Sequence, residues 1–356
     1  MHTSSCHQSF NQLLDKQTER PLCYLYTYFR GRGFRPWSQH QGGRVVASSC
    51  LNRKSVVEPI HTHKQRAAEV YLTHWEQTGE DRFRIDARRP LAHAFYRVGA
   101  QGDPLLICET VRQALPMLCH AAYDVPLGHQ LIWDTLRYTI EDSAHAGAGR
   151  GPHAELHIEC FDLAYRGARP AALSLRAVYY WDGVRVATVE TRFALLSPGA
   201  YGRLRGARAD AGAAMASAVP PGRPVPCATT GRSRPQDVVL SALDENQWLL
   251  RTDTSHPVLF DHPVDHVPGI VLLEAAHQAV GGAQVTRLDC EFQQYVELDA
   301  PCTITATPLR TVTDTDGPGE HQVRVTAVQH DRLCFSASVT CRPPAALPEE
   351  GSRGTR

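Results

Sequence analysis

Residues 256–282, HPVLFDHPVDHVPGIVLLEAAHQAVGG, are the stretch of sequence that decides the fold. The second half of this stretch opens on Pro268-Gly269 and is apolar as far as Val280, apart from Glu274, His277 and Gln278. On a helix these three polar residues, spaced i, i+3 and i+4, share one face. The rest of that helix is apolar nearly all round, which is typical of a buried helix. A carboxylate and an imidazole on a buried helix need either partners within the protein or a ligand.

The first half of the stretch is rich in acid–base side chains. They are His256, Asp261, His262, Asp265 and His266. Taken singly, each polar residue fits a structural role: Glu274 would cap a neighbouring loop, and Gln278 would hydrogen-bond backbone groups. Taken together, they favour a functional site, because acids and bases with shifted pKa values concentrate at such sites.

The composition of the chain is that of a soluble globular protein, with 42% hydrophobic and 21% charged residues in a length of 356 that suits two domains. The formal net charge is zero, so no global field predicts binding to nucleic acid or to a membrane surface. The eleven cysteines show no CxxC and no zinc-site spacing, which predicts reduced thiols in the core and no metal site. Without a signal-peptide pattern or a long apolar run, the chain is expected to be cytoplasmic and not membrane-spanning.

The chain repeats itself across a central segment. Asp237-Val238-Val239-Leu240 parallels Glu69-Val70-Tyr71-Leu72 at an offset of 168 residues, and the residues from Glu274 to Gln278 parallel those from Glu109 to Gln113 at an offset of 165. Such self-similarity predicts an internal duplication. We therefore expect a poorly ordered basic extension at 1–60, a first repeat at 61–198, a Gly/Ala/Pro/Arg-rich linker at 199–235, a second repeat at 236–342 and a disordered tail at 343–356.

Each repeat has the pattern of a strand or loop, one apolar helix and then several antiparallel strands. The predicted helices are Leu105–Cys119, which Pro116 should kink or divide, and Gly269–Gly281. Predicted strands of the first repeat are 81–86, 130–140, 155–165, 173–181 and 184–196, and a hairpin turn at Asp182-Gly183 joins 173–181 to 184–196. Predicted strands of the second repeat are 285–298, 302–309, 323–329 and 333–340. Because an apolar helix needs cover on every side, the pattern predicts an α+β fold in which a curved antiparallel sheet wraps each central helix.

This arrangement resembles the hotdog fold. The string Asp261–Gly269, followed by Leu272-Leu273-Glu274-Ala275-Ala276, resembles the A-factor biosynthesis family of tandem (double) hotdog proteins, over roughly residues 63–342. The resemblance implies an acyltransferase that joins a β-ketoacyl thioester, carried by an acyl carrier protein or by coenzyme A, to dihydroxyacetone phosphate. It also implies a role in the biosynthesis of γ-butyrolactone or butenolide signals in actinomycetes, without a cofactor.

The resemblance, together with a more distant one to hydroxyacyl-carrier dehydratases, implies specific site residues. Glu274, His262 and Glu109 would be catalytic, since a partly buried Glu or His can be tuned as a base. Predicted substrate-binding residues are Arg112, His277, His266, His256, Asp265 and Gly269. Gly269 would offer free backbone N–H groups at a helix start, and Arg112 would hold an anion. His277 replaces an Arg that the family usually has, which predicts a weaker hold on phosphate.

Three other functions remain open from the sequence. A hotdog dehydratase or thioesterase would act on an acyl thioester without needing dihydroxyacetone phosphate. A non-catalytic acyl- or lactone-binding protein would fit if His277 marks a decayed site. A DNA-binding regulator would use the basic residues 1–66, although no helix-turn-helix pattern accompanies them.

Overall fold

The computed structural model describes residues 53–97, 102–142, 151–312 and 319–342. The extension expected at 1–60 therefore lies outside the described residues up to residue 52, and the tail expected at 343–356 lies outside them altogether. Among the described residues, none of the helices combines the length and the apolar character that a membrane crossing needs.

The first repeat places one long helix between a hairpin and four long strands. The strands are β1 Ser55–Val56, β2 Leu72–Gly79, β3 Arg82–Arg88, β4 Gln130–Ile140, β5 His153–Arg166, β6 Arg169–Trp181 and β7 Val184–Leu196. The helix α1 spans Pro104–Ala121 and lies between β3 and β4 in the chain. Short 3-10 helices at Pro59–Thr62 and Ala67–Glu69 precede β2. Trp181 pairs with Val184 across the hairpin turn expected at Asp182-Gly183.

The second repeat has the same order of elements. Its strands are β8 Leu240–Asp244, β9 Gln247–Leu250, β10 Gln284–Phe292, β11 Thr303–Val312, β12 Glu320–Gln329 and β13 Arg332–Arg342. Its central helix α4 spans Gly269–Gln278 and lies between β9 and β10 in the chain.

All these strands join in one antiparallel sheet. The order is β1-β2-β3-β5-β6-β7-β4-β10-β13-β12-β11-β9-β8, so each repeat contributes the same succession from opposite edges. The two repeats meet at the pair β4–β10, where Thr135 lies opposite Glu291 and Thr139 opposite Arg287. This continuous sheet agrees with the predicted α+β architecture, and the duplication in the sequence appears as a two-fold relation between the halves.

The central helices are buried because their sequences are apolar on every side. In α4, every residue from Ile270 to Gln278 is buried. The helix α1 begins at Pro104, where Asp103 Oδ1 accepts a hydrogen bond from Leu105 N at 3.0 Å as an N-cap. Of the two effects predicted for Pro116, a kink or a division of the helix, the division does not occur, since α1 is continuous through it to Ala121. Packing on every side compensates for the hydrogen bond that a proline lacks.

Two predicted boundaries also change. The helix expected to reach Gly281 ends at Gln278, and Gly281 and Gly282 follow with φ of 69° and 74°, values that glycine adopts without strain. The strand expected to reach Leu298 ends at Phe292. Beyond it the chain leaves the sheet, and Val296 O accepts a hydrogen bond from Val267 N at 2.9 Å.

The segment expected to be a linker without a core pattern is structured. It contains the helices α2 Pro198–Arg205 and α3 Ala211–Ala216 and short 3-10 helices at Gly206–Ala209, Cys227–Thr229 and Pro235–Asp237. Polar contacts order it, because its buried side chains Arg205 and Arg232 are both held by carboxylates of the repeats.

Candidate active site

A cavity of about 710 Å³ lies between the two repeats. Its lining comes from residues 60–65, α1, the start of β4, Phe193, residues 198–211 of the connecting segment, residues 258–272 and residues 292–296. Of the residues predicted as functional, those that line it are Glu109, Arg112, His262, Asp265, His266 and Gly269. The cavity therefore combines a helix of the first repeat with the His/Asp-rich loop of the second.

One polar end of the cavity is an ion cluster on α1. Arg112 donates to Glu109 through two nitrogens, Nε to Oε2 at 2.7 Å and Nη2 to Oε1 at 2.8 Å. The Nζ of buried Lys64 lies 3.5 Å from Glu109 Oε1. Burial alone would raise the pKa of Glu109, but Arg112 and Lys64 bring it down to about 2. Glu109 is thus ionised and holds Arg112, whose third nitrogen, Nη1, has no bonded partner among the described residues.

His262 lies beside this cluster. Its Nδ1 is 3.8 Å from Asp261 Oδ2, beyond hydrogen-bond distance, and this buried nitrogen has no hydrogen-bond partner in the described residues. Burial, and next the positive charge of Arg112, lower the pKa of His262. The imidazole is therefore uncharged near neutral pH, and the ring lines the cavity.

A second polar group lies at Asp265 and His266. His266 Nδ1 is 2.7 Å from Asp265 Oδ1, and the other carboxylate oxygen accepts from Tyr201 OH at 2.6 Å and from Arg205 Nε at 3.1 Å. Burial would raise the pKa of Asp265, but these partners hold it well below its usual range. Asp265 is an ionised carboxylate that orients an imidazole bordering the cavity.

The start of α4 lies against a stacked aromatic pair. The rings of Trp133 and Phe292 are parallel within 8°, with centroids 5.1 Å apart. A Cβ atom on Gly269 would lie 2.8 Å from Trp133 Cε3, so only glycine fits this close approach. The first N–H groups of a helix have no partner within it and can polarise a carbonyl oxygen. The apolar part of the lining includes Leu115, Leu131, Ile132, Trp133, Phe193, Ile270, Leu272, Phe292 and Val296.

Glu274, predicted as the catalytic base, does not line the cavity. It is fully buried, and Arg232 donates to both of its oxygens, from Nε to Oε1 and from Nη2 to Oε2, each at 2.5 Å. Gln278 Nε2 donates to Oε1 and also to Asp237 O. Glu274 was expected to face a substrate, but Arg232, 42 residues earlier in the chain, fills the space in front of its carboxylate.

His277 and His256, predicted to bind substrate, also lie away from the cavity. His277 Nε2 is 2.7 Å from Tyr138 OH of the first repeat, and burial lowers the pKa of His277 to about 4. His256 Nε2 is 3.2 Å from Asp237 Oδ1, and its Nδ1 accepts from Val258 N and Leu259 N. Both side chains have internal partners that account for their burial.

The two halves are alike on their helix faces but differ where they meet the cavity. Gln113 bonds Tyr71 N and Glu69 O just as Gln278 bonds Val239 N and Asp237 O, so the two helix faces are equivalent. Lys64 and Arg232 stand 168 residues apart, the offset of the repeat, and each contacts the glutamate of its own helix and an aspartate of the other repeat. Within the described residues, only the second repeat supplies a histidine like His262 to the opposite helix.

Several residues of the site were not predicted from the sequence. The offset of 168 residues, applied beyond the matched strings, would have paired Lys64 with Arg232. No sequence signal singles out Tyr201 and Tyr295, which line the cavity, or Arg205, which holds Asp265, because the path of the connecting segment and of the loop after β10 places them there.

Comparison with known proteins gives consistent matches along the chain. The family model of the A-factor biosynthesis hotdog domain matches residues 41–197 and again residues 214–344. A Streptomyces virginiae protein named 2-oxo-3-(phosphooxy)propyl 3-oxoalkanoate synthase is 41% identical over 293 residues, covering 80% of this chain and 96% of that protein. Relatives of the same name from Streptomyces coelicolor and Streptomyces griseus are each 37% identical and cover 78% and 79% of this chain and 89% and 95% of their own lengths.

Solved structures give weaker likenesses. The 12:0-ACP thioesterase from Umbellularia californica matches with a TM-score of 0.36 at 8% identity, covering 74% of this chain and 94% of that chain. An acyl-ACP thioesterase from Bacteroides thetaiotaomicron matches with a TM-score of 0.37 at 11% identity, covering 73% and 97%. Likenesses of this degree carry no argument about activity. The two family matches and the identity to the Streptomyces proteins show that the chain belongs to the A-factor biosynthesis hotdog family.

Proposed function

We propose that this chain is an acyltransferase that joins the 3-oxoacyl group of a thioester to dihydroxyacetone phosphate. The observation that carries the proposal is the 41% identity over 96% of a protein named 2-oxo-3-(phosphooxy)propyl 3-oxoalkanoate synthase. That name describes an ester between a 3-oxo acid and the hydroxyl of dihydroxyacetone phosphate. The product would serve the biosynthesis of a γ-butyrolactone or butenolide signal.

The ion cluster on α1 suits the phosphate of this substrate. Arg112 has one nitrogen without a hydrogen-bond partner in the described part of the chain and is held in place by Glu109, so little conformational freedom is lost when an anion binds. His262 lies beside Arg112 and can take up a proton when a phosphate dianion offsets the positive charge around it. We assign Arg112 and His262 to the phosphate, with Glu109 positioning Arg112.

The apolar part of the cavity suits the acyl chain. Its walls are aromatic and aliphatic side chains from both repeats, with Gly269 at their centre. A thioester carbonyl near the start of α4 would meet free backbone N–H groups as its oxygen becomes negative. The thioester carrier, an acyl carrier protein or coenzyme A, would remain outside the cavity.

The experiment that tests the proposal is product analysis. Purified protein is incubated with a 3-oxoacyl thioester, with and without dihydroxyacetone phosphate, and the products are identified by mass spectrometry. We expect the phosphorylated ester and the free thiol in equal amounts, and only when dihydroxyacetone phosphate is present. Release of free 3-oxo acid without dihydroxyacetone phosphate would instead show a thioesterase, and binding without turnover would show an acyl-binding protein.

A matched variant locates the phosphate. Arg112→Lys keeps the positive charge but cannot hold Glu109 and an anion at once. We expect KM for dihydroxyacetone phosphate to rise by roughly ten-fold or more, while KM for the thioester changes little. An unchanged KM for the phosphate substrate would remove Arg112 from this role.

A further inference from the structure

Two histidines line the same cavity in opposite electrostatic settings. His262 lies near two cations, Arg112 and Lys64, whose effect together with burial outweighs that of the Asp261 carboxylate 3.8 Å away and disfavours a positive charge on its ring. His266 lies against the ionised carboxylate of Asp265. An imidazole that acts as a general base becomes positively charged when it takes a proton, so a neighbouring negative charge favours this role.

The hydrogen bond between the two side chains fixes the form of the His266 ring. Asp265 is ionised and can only accept, so His266 Nδ1 must carry the hydrogen and donate across the 2.7 Å contact. In the neutral ring this leaves the lone pair on Nε2, for which the described residues provide no partner. The ring is 30% exposed and borders the cavity, so Nε2 is available to a bound hydroxyl group.

Asp265 is itself held rigidly. Tyr201 and Arg205 of α2 both donate to Oδ2, and Arg205 Nη2 donates to Asp265 O at 3.0 Å. Arg205 is bound in turn by Glu297 through Nη1 at 2.6 Å and Nη2 at 2.8 Å. The ring of Tyr295 packs against the Arg205 guanidinium and, at an interplanar angle of 69°, against the ring of His266. These are the charged and titratable groups around the pair, and they come from α2 and from the loop after β10.

We propose that His266, oriented by Asp265, is the general base of the acyl transfer. This assignment rests on the proposed function. His266 Nε2 takes the proton of the substrate hydroxyl while the hydroxyl oxygen forms a bond to the thioester carbonyl carbon. The C–S bond then breaks, and the thiolate receives that proton from Nε2. The products are the ester and the free thiol, and the imidazole returns to its starting form.

The test is the variant His266→Asn. An asparagine amide can still donate to Asp265 but has no counterpart of Nε2, so the buried network should survive. We expect kcat to fall by roughly 10²–10⁴-fold with an unchanged melting temperature and nearly unchanged KM for dihydroxyacetone phosphate. In contrast, His262→Asn should act mainly on that KM. His157→Ala, on the outside of β5, serves as the neutral control.

A second variant tests the chemistry without relying on the Asn side chain. His266→Ala should be inactive but should regain at least ten-fold activity on addition of imidazole, which replaces the missing base; the neutral control should show no such gain. A His266→Asn variant within about five-fold of the parent in kcat, or a His266→Ala variant that imidazole does not restore, overturns the assignment. A parent protein that forms no ester overturns the proposed function, and with it the assignment, so the two failures are distinguishable.

Discussion

Glu274 and Arg232 form an ion pair that solvent does not reach, with side chains 0% and 4% exposed. Arg232 also donates to Asp103 Oδ2 at 3.0 Å and to Phe95 O at 2.9 Å, so one cation serves two carboxylates from different repeats. Removing one partner of such a network leaves the other charged and buried, which costs far more than the pair contributes.

We therefore expect Glu274→Gln to act on stability and not on catalysis. The free energy of unfolding, measured by urea titration, should fall by about 3–5 kcal/mol, because Arg232 loses a charged partner. The folded fraction should keep a kcat within a few-fold of the parent. The control is Glu159→Gln in the exposed pair with Arg82, which should change stability by less than about 1 kcal/mol. Unchanged stability with a hundred-fold lower kcat would return Glu274 to a catalytic role.

One buried histidine, His277, and one partly buried histidine, His63, should make the protein sensitive to mild acid. Burial lowers the pKa of His277 to about 4 and, together with His120, that of His63 to about 4, against an ordinary value of 6.5. Between these values the unfolded chain binds protons that the native protein does not, so the free energy of unfolding falls as pH drops from 6.5 to 4. Each histidine lowers the free energy of unfolding by up to about 1.4 kcal/mol for each pH unit of this decrease.

Urea titrations at pH 7, 5.5 and 4.5 measure this dependence. His277→Gln keeps a hydrogen-bonding group for Tyr138 but does not titrate. It should reduce the slope of the free energy of unfolding against pH by the contribution of about one proton. A variant with the parental slope would show that His277 is protonated in the native protein. Asp265 and Glu109, whose pKa values lie below their usual range, lose their contribution to stability only at a pH below that of these titrations.

At the scale of elements, α4 starts where it does because Gly269 allows the aromatic pair to touch the helix. Trp133 is fixed from behind, since its Nε1 donates to Thr191 Oγ1 at 2.6 Å. The strands β4 and β10 bring Trp133 and Phe292 together across the seam between the repeats. The helix start, the apolar wall and the seam therefore depend on one another.

We expect Gly269→Ala to destabilise the protein by about 1–3 kcal/mol, because the new methyl group would lie 2.8 Å from Trp133 Cε3. In a Trp133→Leu background the same change should cost less, because the overlap with Trp133 is relieved and the 3.1 Å approach to Phe292 Cε1 remains. Gly202→Ala in α2 is the matched control: no atom lies within 4 Å of the added methyl group, so stability should stay equal or rise slightly. Equal costs in both backgrounds would mean that the aromatic pair does not limit this position.

At the scale of the whole molecule, the repeats share one sheet and several side-chain contacts. Arg232 reaches Asp103, Lys64 lies 3.9 Å from Asp261, and Tyr138 bonds His277. Neither half can be removed without exposing the β4–β10 pair and leaving buried charges without partners. The duplicated chain is therefore expected to fold as one cooperative unit.

Urea unfolding followed by two probes checks this. Far-UV circular dichroism reports both repeats, whereas three of the tryptophans in the described residues, Trp75, Trp133 and Trp181, lie in the first repeat and only Trp248 in the second. We expect the two curves to coincide. Tyr138→Phe should lower the midpoint of both together, because it removes a contact between the repeats. Separate midpoints for fluorescence and dichroism would show that the halves unfold independently.

The sequence alone determined the fold class, the duplication and the approximate place of each central helix and main strand. Apolar periodicity and repeated strings such as those at Glu109 and Glu274 are local properties that can be counted along the chain. The loop that borders the cavity was also visible, because His262, Asp265 and His266 crowd a short polar stretch. The prediction that Gln278 bonds backbone, made as the structural alternative, agrees with its contacts to Val239 N and Asp237 O.

Only the tertiary structure decided which of two equivalent glutamates meets the cavity. Glu109 and Glu274 occupy matching positions on matching helices, and nothing near either residue in sequence distinguishes an open carboxylate from a closed one. The difference arises from Arg232 and from the crossing of the second repeat's loop onto the first repeat's helix, which are contacts between distant parts of the chain. A pattern read along the chain reports which groups are present, but accessibility and charge pairing depend on which segments pack together in space.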